Sequence, residues 1–375
     1  MAFGLAGSKS TATLGIDVGH ESIKIVEAQG SPGSIQIALA ETLPTPASSV
    51  ADGLITDPEA VGAAIKEFLR SIGAKATQAV AGVAGPQVNV RPIPMPRMSE
   101  ADVRRSIVWE AQKHFSFAPE ETIVEGEVLR SDDPDAAEMF VMVVTAPRSQ
   151  VDGQVLALEA AGLEPIVVDI GVFAKVRSLL EFPRREEDLS RTVALVDMGA
   201  SYTEVSIIQS GLPVWMRVIP LGGSALTRPL VESMAMELAD ATVAKEQMDA
   251  ERLGHADDLS TSEALVQNSL EELMREVRRS INFYNSQMEA SEDAVAIERV
   301  YLLGGASQMQ GMAAYLGESL RLEVIGGELG GTDRLKGKPE AEMALYRAFP
   351  TYAQALGLAM WEILSSKQKH KRRGR

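Results

Sequence analysis

Two short segments of the sequence each join a carboxylate to a glycine at the end of an apolar run. Residues 14–27 read LGIDVGHESIKIVE and residues 194–207 read ALVDMGASYTEVSI, so Asp17 and Asp197 lie 180 positions apart in matching contexts. In each copy the apolar run, the polar turn and the second alternating run predict a β-hairpin. At such a turn the glycine lets phosphate oxygens approach backbone N–H groups, and the acid can hold Mg²⁺ directly or through water. A single Asp-x-Gly turn is common in ordinary hairpins, but two related copies predict two hairpins that hold a triphosphate between them.

Two glycine pairs add to this phosphate chemistry. Gly222 and Gly223 precede a predicted helix, and a helix start offers free N–H groups to an anion. Gly304 and Gly305 follow a short apolar run, residues 300–303, where bare backbone would let a nucleotide base lie against the chain. The four histidines are scattered without the spacing of a metal site, so the candidate metal ligands remain the two acids of the hairpins.

The repeat predicts a protein of two related α/β lobes with a further unit between the two copies. The predicted elements of that unit are, in order, a strand (88–93), a helix (99–114), two strands (122–129 and 139–145), a helix (149–162) and a strand from 166. This βαββαβ order is the ferredoxin-like pattern, and it predicts a subdomain inserted into the first lobe. The predicted division is 1–11 as a flexible N-terminus, 12–86 with 169–190 as the first lobe, 87–168 as the insert, 191–364 as the second lobe and 365–375 as a basic tail.

Composition limits the classes of function. The chain of 375 residues carries a net charge of −16, which predicts no nucleic-acid partner because such binding requires basic surface. It has no cysteine, so disulfides and thiolate chemistry are excluded. The first thirteen residues lack the apolar core of a signal peptide, and the longest apolar stretch, Tyr352 to Leu364, is shorter than the roughly 20 residues of a membrane span. We therefore expect a cytoplasmic protein.

Together these motifs resemble those of the actin-like ATPases, and within them the FtsA/PilM family. LGIDVGHESIKIVE resembles the first phosphate motif of that family, ALVDMGASYTEVSI the second, and IPLGGSALT and VYLLGGAS the motifs that follow around the nucleotide cleft. Two more specific segments are LEELMREVRRSINFYNSQ in the second lobe and SIVWEAQKHFSF in the insert. The resemblance covers residues 12–364. It implies a two-lobed actin-like (ribonuclease H-like) ATPase fold, with the insert in the place of the subdomain that is specific to this family.

The resemblance also implies a set of nucleotide-binding residues, each matched to a family motif. In chain order they are Asp17, Gly19, Ser22 and Lys24 of the first phosphate motif, Asp197, Gly199, Ala200 and Ser201 of the second, Gly222, Gly223 and Thr227 of the next cleft motif, Lys245 near the adenosine, and Gly304 and Gly305 of the adenosine motif. Two positions depart from the family pattern: His20 stands where a small hydroxyl residue is usual, and Thr242 where an acid is expected. The implied ligands are ATP and Mg²⁺, with Asp17 and Asp197 holding the metal directly or through water.

The function implied by the resemblance is a scaffold for type IV pilus assembly in which ATP·Mg²⁺ sets the angle between the lobes. Its implied partners are the cytoplasmic N-terminal segment of the inner-membrane protein PilN and other inner-membrane pilus assembly proteins, which would hold the chain at the cytoplasmic face of that membrane. Self-association into a homo-oligomer is also compatible with it. The tail, residues 367–375, holds six Lys/Arg and no acid, so it offers a contact with an anionic membrane surface or is simply a solvated tail. No general base with a supporting partner is assigned, so we expect at most slow ATP hydrolysis.

Three alternatives remain open on the sequence alone. A sugar or acetate kinase of the same superfamily would need an acceptor pocket, for which the sequence has no signature. An FtsA-like division protein usually ends in an amphipathic helix, whereas residues 367–375 contain no apolar side chain. The cytoplasmic part of the secretion protein GspL belongs to a protein with a membrane span, and no span is recognised in this sequence.

Overall fold

The computed structural model describes residues 12–129, 136–289 and 296–364, which form two α/β lobes on either side of a cleft. The first lobe is built on a six-stranded sheet and the second on a five-stranded sheet. The predicted flexible N-terminus and basic tail lie outside the described residues. None of the described helices is long and apolar enough to cross a lipid bilayer.

The strands follow the apolar alternation of the sequence. In chain order they are β1 (Thr13–Val18), β2 (Ser22–Ser31), β3 (Ser34–Pro44), β4 (Val50–Ala51), β5 (Leu54–Ile55), β6 (Gln78–Val83), β7 (Asn89–Pro96), β8 (Thr122–Val128), β9 (Glu138–Pro147), β10 (Glu164–Ile170), β11 (Thr192–Met198), β12 (Thr203–Gln209), β13 (Leu212–Ile219), β14 (Arg299–Leu303), β15 (Glu323–Gly326) and β16 (Leu335–Gly337).

The helices cover the faces of these sheets. In chain order they are α1 (Pro58–Ser71), α2 (Glu100–Gln112), α3 (Arg148–Ala160), α4 (Gly171–Val176), α5 (Glu186–Leu189), α6 (Gly223–Met234), α7 (Leu238–Glu246), α8 (Ala250–His255), α9 (Thr261–Glu289), α10 (Met312–Leu320) and α11 (Pro339–Ala359), with 3₁₀ turns at Pro119–Glu121 and Gly305–Gln308 and a π-helical turn at Arg177–Glu181.

The two sheets have the same internal topology, which confirms the predicted repeat. The first has the order β10-β6-β1-β2-β3-β16 and the second β15-β14-β11-β12-β13. In both, an antiparallel meander is extended on one side by two parallel strands. Equivalent cross-strand pairs close the two hairpins: Asp17 opposite Lys24 in the first, and Asp197 opposite Glu204 in the second.

The C-terminal segment lies with the first lobe, which corrects the predicted second lobe of 191–364. Strand β16 adds in parallel to the edge of β3. Helix α11 crosses β1 at Gly15, where a Cβ atom would overlap the backbone of Ala355 and Ala359. Its apolar residue Leu356 is buried in the same core cluster as Val26 of β2. The segment packs on this lobe because β3 has a free edge with which β16 can pair, and because the absence of a side chain at Gly15 lets α11 lie close to β1.

The insert is smaller than the predicted 87–168 and is not a four-stranded ferredoxin-like sheet. Only β7, α2, β8 and β9 belong to it, and its sheet has three strands in the order β7-β9-β8. Strand β10 instead pairs in parallel with β6 of the first lobe. Helix α3 packs on α1, where a Cβ at Gly62 would lie 2.6 Å from the carbonyl oxygen of Ala157. The element order is as predicted, but its last helix and strand complete the first lobe, because β1 pairs with only one side of β6 and β10 pairs with the other.

Candidate functional site

The two repeated hairpin turns line one cleft between the lobes. The cleft has a volume of about 300 Å³. In the first turn, Gly19 donates its backbone N–H to the carbonyl oxygen of Ser22 at 3.0 Å, and in the second Gly199 donates to Tyr202 at the same 3.0 Å. The two turns therefore have matching backbone geometry, and residues of both line the same space.

The predicted nucleotide-binding residues converge on this cleft, with the exception of Gly222. The residues that line it are Asp17, Gly19, Ser22, Lys24, Asp197, Gly199, Ala200, Ser201, Gly223, Thr227, Lys245, Gly304 and Gly305. Gly222 stands just before α6, where a Cβ atom would lie 2.6 Å from the carbonyl oxygen of Gly199. Its role in the structure is the close approach of α6 to the second hairpin turn.

The first N–H groups of α6 are not free for an anion, which corrects that part of the prediction. Gly223 donates its N–H to the carbonyl oxygen of Gly199 at 2.9 Å, and Ser224 donates to Ala200 at 2.9 Å. The first N–H groups of α6 therefore bind the backbone of the second hairpin turn. Any phosphate contact in this region must come from other groups of the cleft.

The carboxylate of Asp17 is held by a side chain from the far end of the sequence. Gln354 of α11 donates from Nε2 to Asp17 Oδ1 at 2.7 Å. Burial raises the pKa of Asp17 above its ordinary value, the positive charge of Lys24 partly offsets this, and the negative charge of Asp197 adds to the rise. The ionised form of Asp17 is therefore a state that a cation in the cleft would stabilise.

The carboxylate of Asp197 is held by a buried ammonium. Lys175 of α4 donates from Nζ to Asp197 Oδ2 at 2.7 Å and to Glu204 Oε1 at 2.8 Å. Burial alone would lower the pKa of Lys175, but the two carboxylates more than offset it and the pKa lies above its ordinary value. Lys175 therefore carries its positive charge throughout the neutral range.

The end of the cleft that is predicted to hold the adenosine is built from backbone that approaches closely. Gly304 has a φ of +83°, and a Cβ there would overlap the carbonyl oxygen of Met198. In the same lobe, the Lys245 Nζ lies 3.8 Å from where a Cβ of Gly223 would stand. Thr242, the departure from the family pattern on α7, donates its hydroxyl to the carbonyl oxygen of Leu238 at 2.8 Å.

The other departure, His20, lies in the first hairpin turn. Its Nδ1 is 2.9 Å from the carbonyl oxygen of Val50, so the ring contacts the short strand β4. His20 still lines the cleft, as does the next residue, Glu21, whose Oε1 accepts a hydrogen bond from Ser224 Oγ of the second lobe at 2.8 Å. An acid thus stands at the mouth of the cleft beside the first phosphate motif.

Three residues that hold the acids of the cleft were missed at the level of sequence: Lys175 and Gln354, which line the cleft, and Glu204, which does not line it but binds the Lys175 ammonium. Lys175 could have been noticed as a lone cation within the apolar run of residues 170–176, IGVFAKV. Glu204 occupies the position opposite Asp197 that Lys24 occupies opposite Asp17, so the repeat itself marks it. Gln354 has no local signal, since it lies 337 positions from the aspartate that it contacts.

The residues of the cleft fit a Mg²⁺ ion that is held largely by water and phosphate. No group of three or more His, Cys, Asp or Glu side chains suited to a metal occurs within the described ranges. The cleft does provide the carboxylates of Asp17 and Asp197. Mg²⁺ is commonly bound in this way, by one or two carboxylates together with waters and substrate phosphates.

Comparison with known proteins identifies the family. A family model described as type IV pilus assembly protein PilM matches residues 15–363. The structure is similar to the PilM–PilN type IV pilus biogenesis complex, with a TM-score of 0.80 and 27% identity over 94% of this chain and 98% of that one. Cell division protein FtsA of Bacillus subtilis (strain 168) is 24% identical over 269 residues, which cover 64% of this chain. The chain spans a little over half of that relative's length, 58%.

Two more distant structures share the fold alone. The ethanolamine utilization protein EutJ from Carboxydothermus hydrogenoformans has a TM-score of 0.52 and 16% identity over 95% of this chain and 90% of its own. MreB5 of Spiroplasma citri has a TM-score of 0.50 and 11% identity over 98% of this chain and 100% of its own. The predicted two-lobed, actin-like α/β fold is confirmed by these likenesses together with the PilM structure. The chain belongs to the PilM family of type IV pilus assembly proteins.

Proposed function

We propose that this chain is an ATP-binding scaffold of type IV pilus assembly, which binds the cytoplasmic N-terminal segment of PilN at the cytoplasmic face of the inner membrane. The observation that carries the nucleotide part is the convergence of both repeated hairpin turns, with their acids, on one cleft. In support of the two ligands, the similar solved structures include a PilM–PilN complex and an MreB5 bound to AMPPNP. The family match favours pilus assembly over the division, secretion and kinase alternatives.

In the proposed complex, ATP·Mg²⁺ lies across the cleft with its phosphates between the two hairpin turns. Asp17 and Asp197 hold the metal directly or through water, and the turns at Gly19 and Gly199 admit the phosphates. The bare backbone around Gly304 accommodates the adenosine. Calorimetry of Asp17→Ala and Asp197→Ala should show weaker Mg²⁺-dependent ATP binding, and unchanged affinity in both variants would remove the site assignment.

The partner segment is proposed to bind on the face of the insert sheet that α2 leaves uncovered. Ile93 and Val141 point from that sheet into the core formed with α2. Strand alternation therefore places Phe140 and its cross-strand neighbour Pro94 on the opposite face. Phe140 is 55% exposed there. Nearby on the same face, Met142 is buried in a core cluster that contains residues of both lobes. We propose that the exposed part of this face forms one wall of a peptide groove beside the point where Met142 packs against the lobes.

The edge strand of the insert sheet, β7, is made rigid by its prolines. Strand β7 is at the edge of the insert sheet, and its prolines Pro92, Pro94 and Pro96 alternate along it. Proline lacks a backbone N–H, so such a strand is tolerated at an edge but does not template further strand pairing. We propose that an extended peptide lies against the side chains of this face and contacts Phe140, with the exposed Glu125 of β8 attracting positive charge on the peptide.

Two exposed aromatic residues of the insert allow a matched test of this groove. Phe140→Ala should weaken binding of a labelled PilN N-terminal peptide by about tenfold or more, as expected for truncating a central aromatic of an interface. Trp109 is 74% exposed on α2, on the other side of the insert, so Trp109→Ala should leave affinity unchanged. Fluorescence anisotropy measures both. Equal affinities of the two variants, or a loss only in Trp109→Ala, would exclude the groove.

Nucleotide and peptide binding are proposed to be coupled. ATP can tighten peptide binding only if it prefers the peptide-competent state, and the peptide must then tighten ATP binding by the same factor. Measuring the anisotropy with and without ATP·Mg²⁺ tests this, and identical affinities would remove the coupling while leaving the scaffold role.

We further propose that hydrolysis by the isolated protein is well below the enzyme median of about 10 per second. Further inner-membrane partners, self-association and a lipid contact of the basic tail stay predictions.

A further inference from the structure

Lys175 is a buried charged residue that belongs to neither phosphate motif. Its side chain is only 2% exposed, and its ammonium stands between two carboxylates at 2.7 Å and 2.8 Å. Those carboxylates, Asp197 and Glu204, both lie on the second hairpin, at the end of β11 and on β12. Asp197 is also one of the two acids that the proposed ATP·Mg²⁺ site depends on.

The backbone that carries Lys175 belongs to the other lobe. Its neighbour Ala174 is buried in a small apolar cluster with Val80 of β6 and Leu358 of α11, both elements of the first lobe. One turn later, Ser178 donates its hydroxyl to the carbonyl oxygen of Ala353 at 2.7 Å. The Lys175 side chain therefore links a helix fixed to the first lobe with two acids fixed to the second.

Breaking the ion pairs of Lys175 costs free energy because Lys175 and Glu204 are buried. Glu204 is 2% exposed and accepts a further hydrogen bond from Ser206 Oγ at 3.1 Å, while its Oε2 has no hydrogen-bond partner among the described residues. Two carboxylates and one ammonium leave an excess negative charge at this point. Removing the ammonium would leave the buried Glu204 carboxylate without a counter-charge beside the partly exposed Asp197 carboxylate, which is strongly unfavourable. The orientation of Asp197 is therefore tied to the position of α4.

We propose that Lys175 is a positioning residue for the cation of the cleft: it holds the Asp197 carboxylate from the opposite lobe, so that the geometry of Asp197 is complete only while α4 is docked against the second hairpin. The inference rests on the proposed ATP·Mg²⁺ function. Side chains that orient a metal-binding group typically contribute 10–100-fold to metal affinity. If Lys175 acted only through its charge, its removal would strengthen Mg²⁺ binding, because a positive charge near the site repels the cation. A purely structural role would weaken ATP binding equally with and without the metal.

Three variants separate these roles: Lys175→Met, Glu204→Gln and the double variant Lys175→Met/Glu204→Gln. The quantity measured is the Mg²⁺ enhancement, the ratio of ATP affinity in Mg²⁺ to ATP affinity in EDTA, by calorimetry on the full chain. We expect the enhancement to fall about 10–100-fold in both variants that lack Lys175. In Glu204→Gln it should be unchanged, because Lys175 can still hold Asp197 at 2.7 Å.

The double variant keeps the test valid if the single lysine variant fails to fold. It removes one charge of each sign, so the net charge around Asp197 is that of the wild type, and thermal melting verifies that it is folded. An enhancement that is unchanged or larger in the folded double variant overturns the inference, as does an equal loss of affinity in Mg²⁺ and in EDTA. If the wild type itself shows no Mg²⁺-dependent ATP binding, the proposed function fails and the inference fails with it. If the wild type shows the enhancement and the double variant shows the same enhancement, the inference about Lys175 fails while the proposed function stands.

Discussion

The two acids of the cleft should change stability in opposite directions when each is replaced by asparagine. The pKa of Asp17 is raised, first because burial disfavours its charged form, with the attraction of Lys24 offsetting only part of this. An acid with a raised pKa binds its proton more tightly in the folded state than in the unfolded one. Its stabilising contribution is therefore present below the ordinary value of 3.8 and is lost as the pH rises through the folded-state pKa. At neutral pH the ionised Asp17 opposes folding.

Asp17→Asn removes this charge but keeps an oxygen that can accept the hydrogen bond from Gln354 Nε2. This hydrogen bond is 2.7 Å long in the wild type. We expect the variant to be more stable than the wild type at neutral pH and equally stable below pH 3.8. Each unit by which the pKa is raised corresponds to about 1.4 kcal/mol. A chain of 375 residues has a melting entropy of about 0.8 kcal/mol/K, so each unit raises the melting temperature by about 2 °C.

Asp197→Asn should have the opposite effect, because this carboxylate accepts the charged hydrogen bond from Lys175 at 2.7 Å. Hydrogen bonds to charged groups contribute about 1.5–3 kcal/mol, which on the same scale lowers the melting temperature by about 2–4 °C. Glu204, 2.8 Å from the Lys175 Nζ, still pairs with the ammonium and keeps the loss within this range.

Thermal denaturation of the nucleotide-free wild type and both variants, from pH 3 to pH 8, measures the two effects together. The melting-temperature gain of Asp17→Asn should grow with pH and then level off. A destabilised Asp17→Asn at pH 7 would refute the reasoning for Asp17, because it would mean that its ionised form is stabilised by its surroundings. A stabilised Asp197→Asn would refute the reasoning for Asp197, because it would mean that the hydrogen bond from Lys175 contributes no net stability.

Two further predictions concern the rim of the cleft. Gly304→Ala should lower the melting temperature and Gly305→Ala should not, because Gly304 has a φ of +83° and its Cβ would overlap the Met198 carbonyl oxygen, whereas a Cβ on Gly305 has its nearest neighbour at 3.9 Å. Paired melts check this, and equal melting temperatures would contradict it. Glu21→Gln should tighten ATP binding by about fivefold, since the carboxylate, 2.8 Å from Ser224 Oγ at the mouth of the cleft, repels a triphosphate by about 1 kcal/mol. Calorimetry measures the affinity, and weaker binding would count against an inhibitory role for this acid.

Much of the site could be predicted because its components are local. An apolar strand, an Asp-x-Gly turn and a second strand occupy fewer than fifteen residues, so residues 14–27 and 194–207 specify their hairpins without reference to the rest of the chain. The repeat then predicted that Asp17 and Asp197 share one cleft, and residues of both hairpins do line it. The glycine pairs were recognisable for the same reason, although the amides at Gly223 and Ser224 bind the second turn instead of remaining free.

The assignment of elements to lobes could be decided only in three dimensions. The order βαββαβ is compatible with a four-stranded insert, but β10 pairs with β6, because the alternation along a strand identifies its buried residues and not its neighbour. The same holds for α11, whose apolar residues predict burial without saying against which lobe. The close approach at Gly15 places it on β1 of the first lobe.

What the sequence by itself determined is the chemistry of the two hairpins, since carboxylate, glycine and strand pattern are adjacent along the chain. The tertiary structure alone decided which side chains hold those carboxylates. Gln354 reaches Asp17 across 337 positions, and Lys175 reaches Asp197 from the opposite lobe. Such contacts leave no periodic trace, because a buried polar side chain is satisfied by whichever partner the packing of distant helices brings within hydrogen-bond distance.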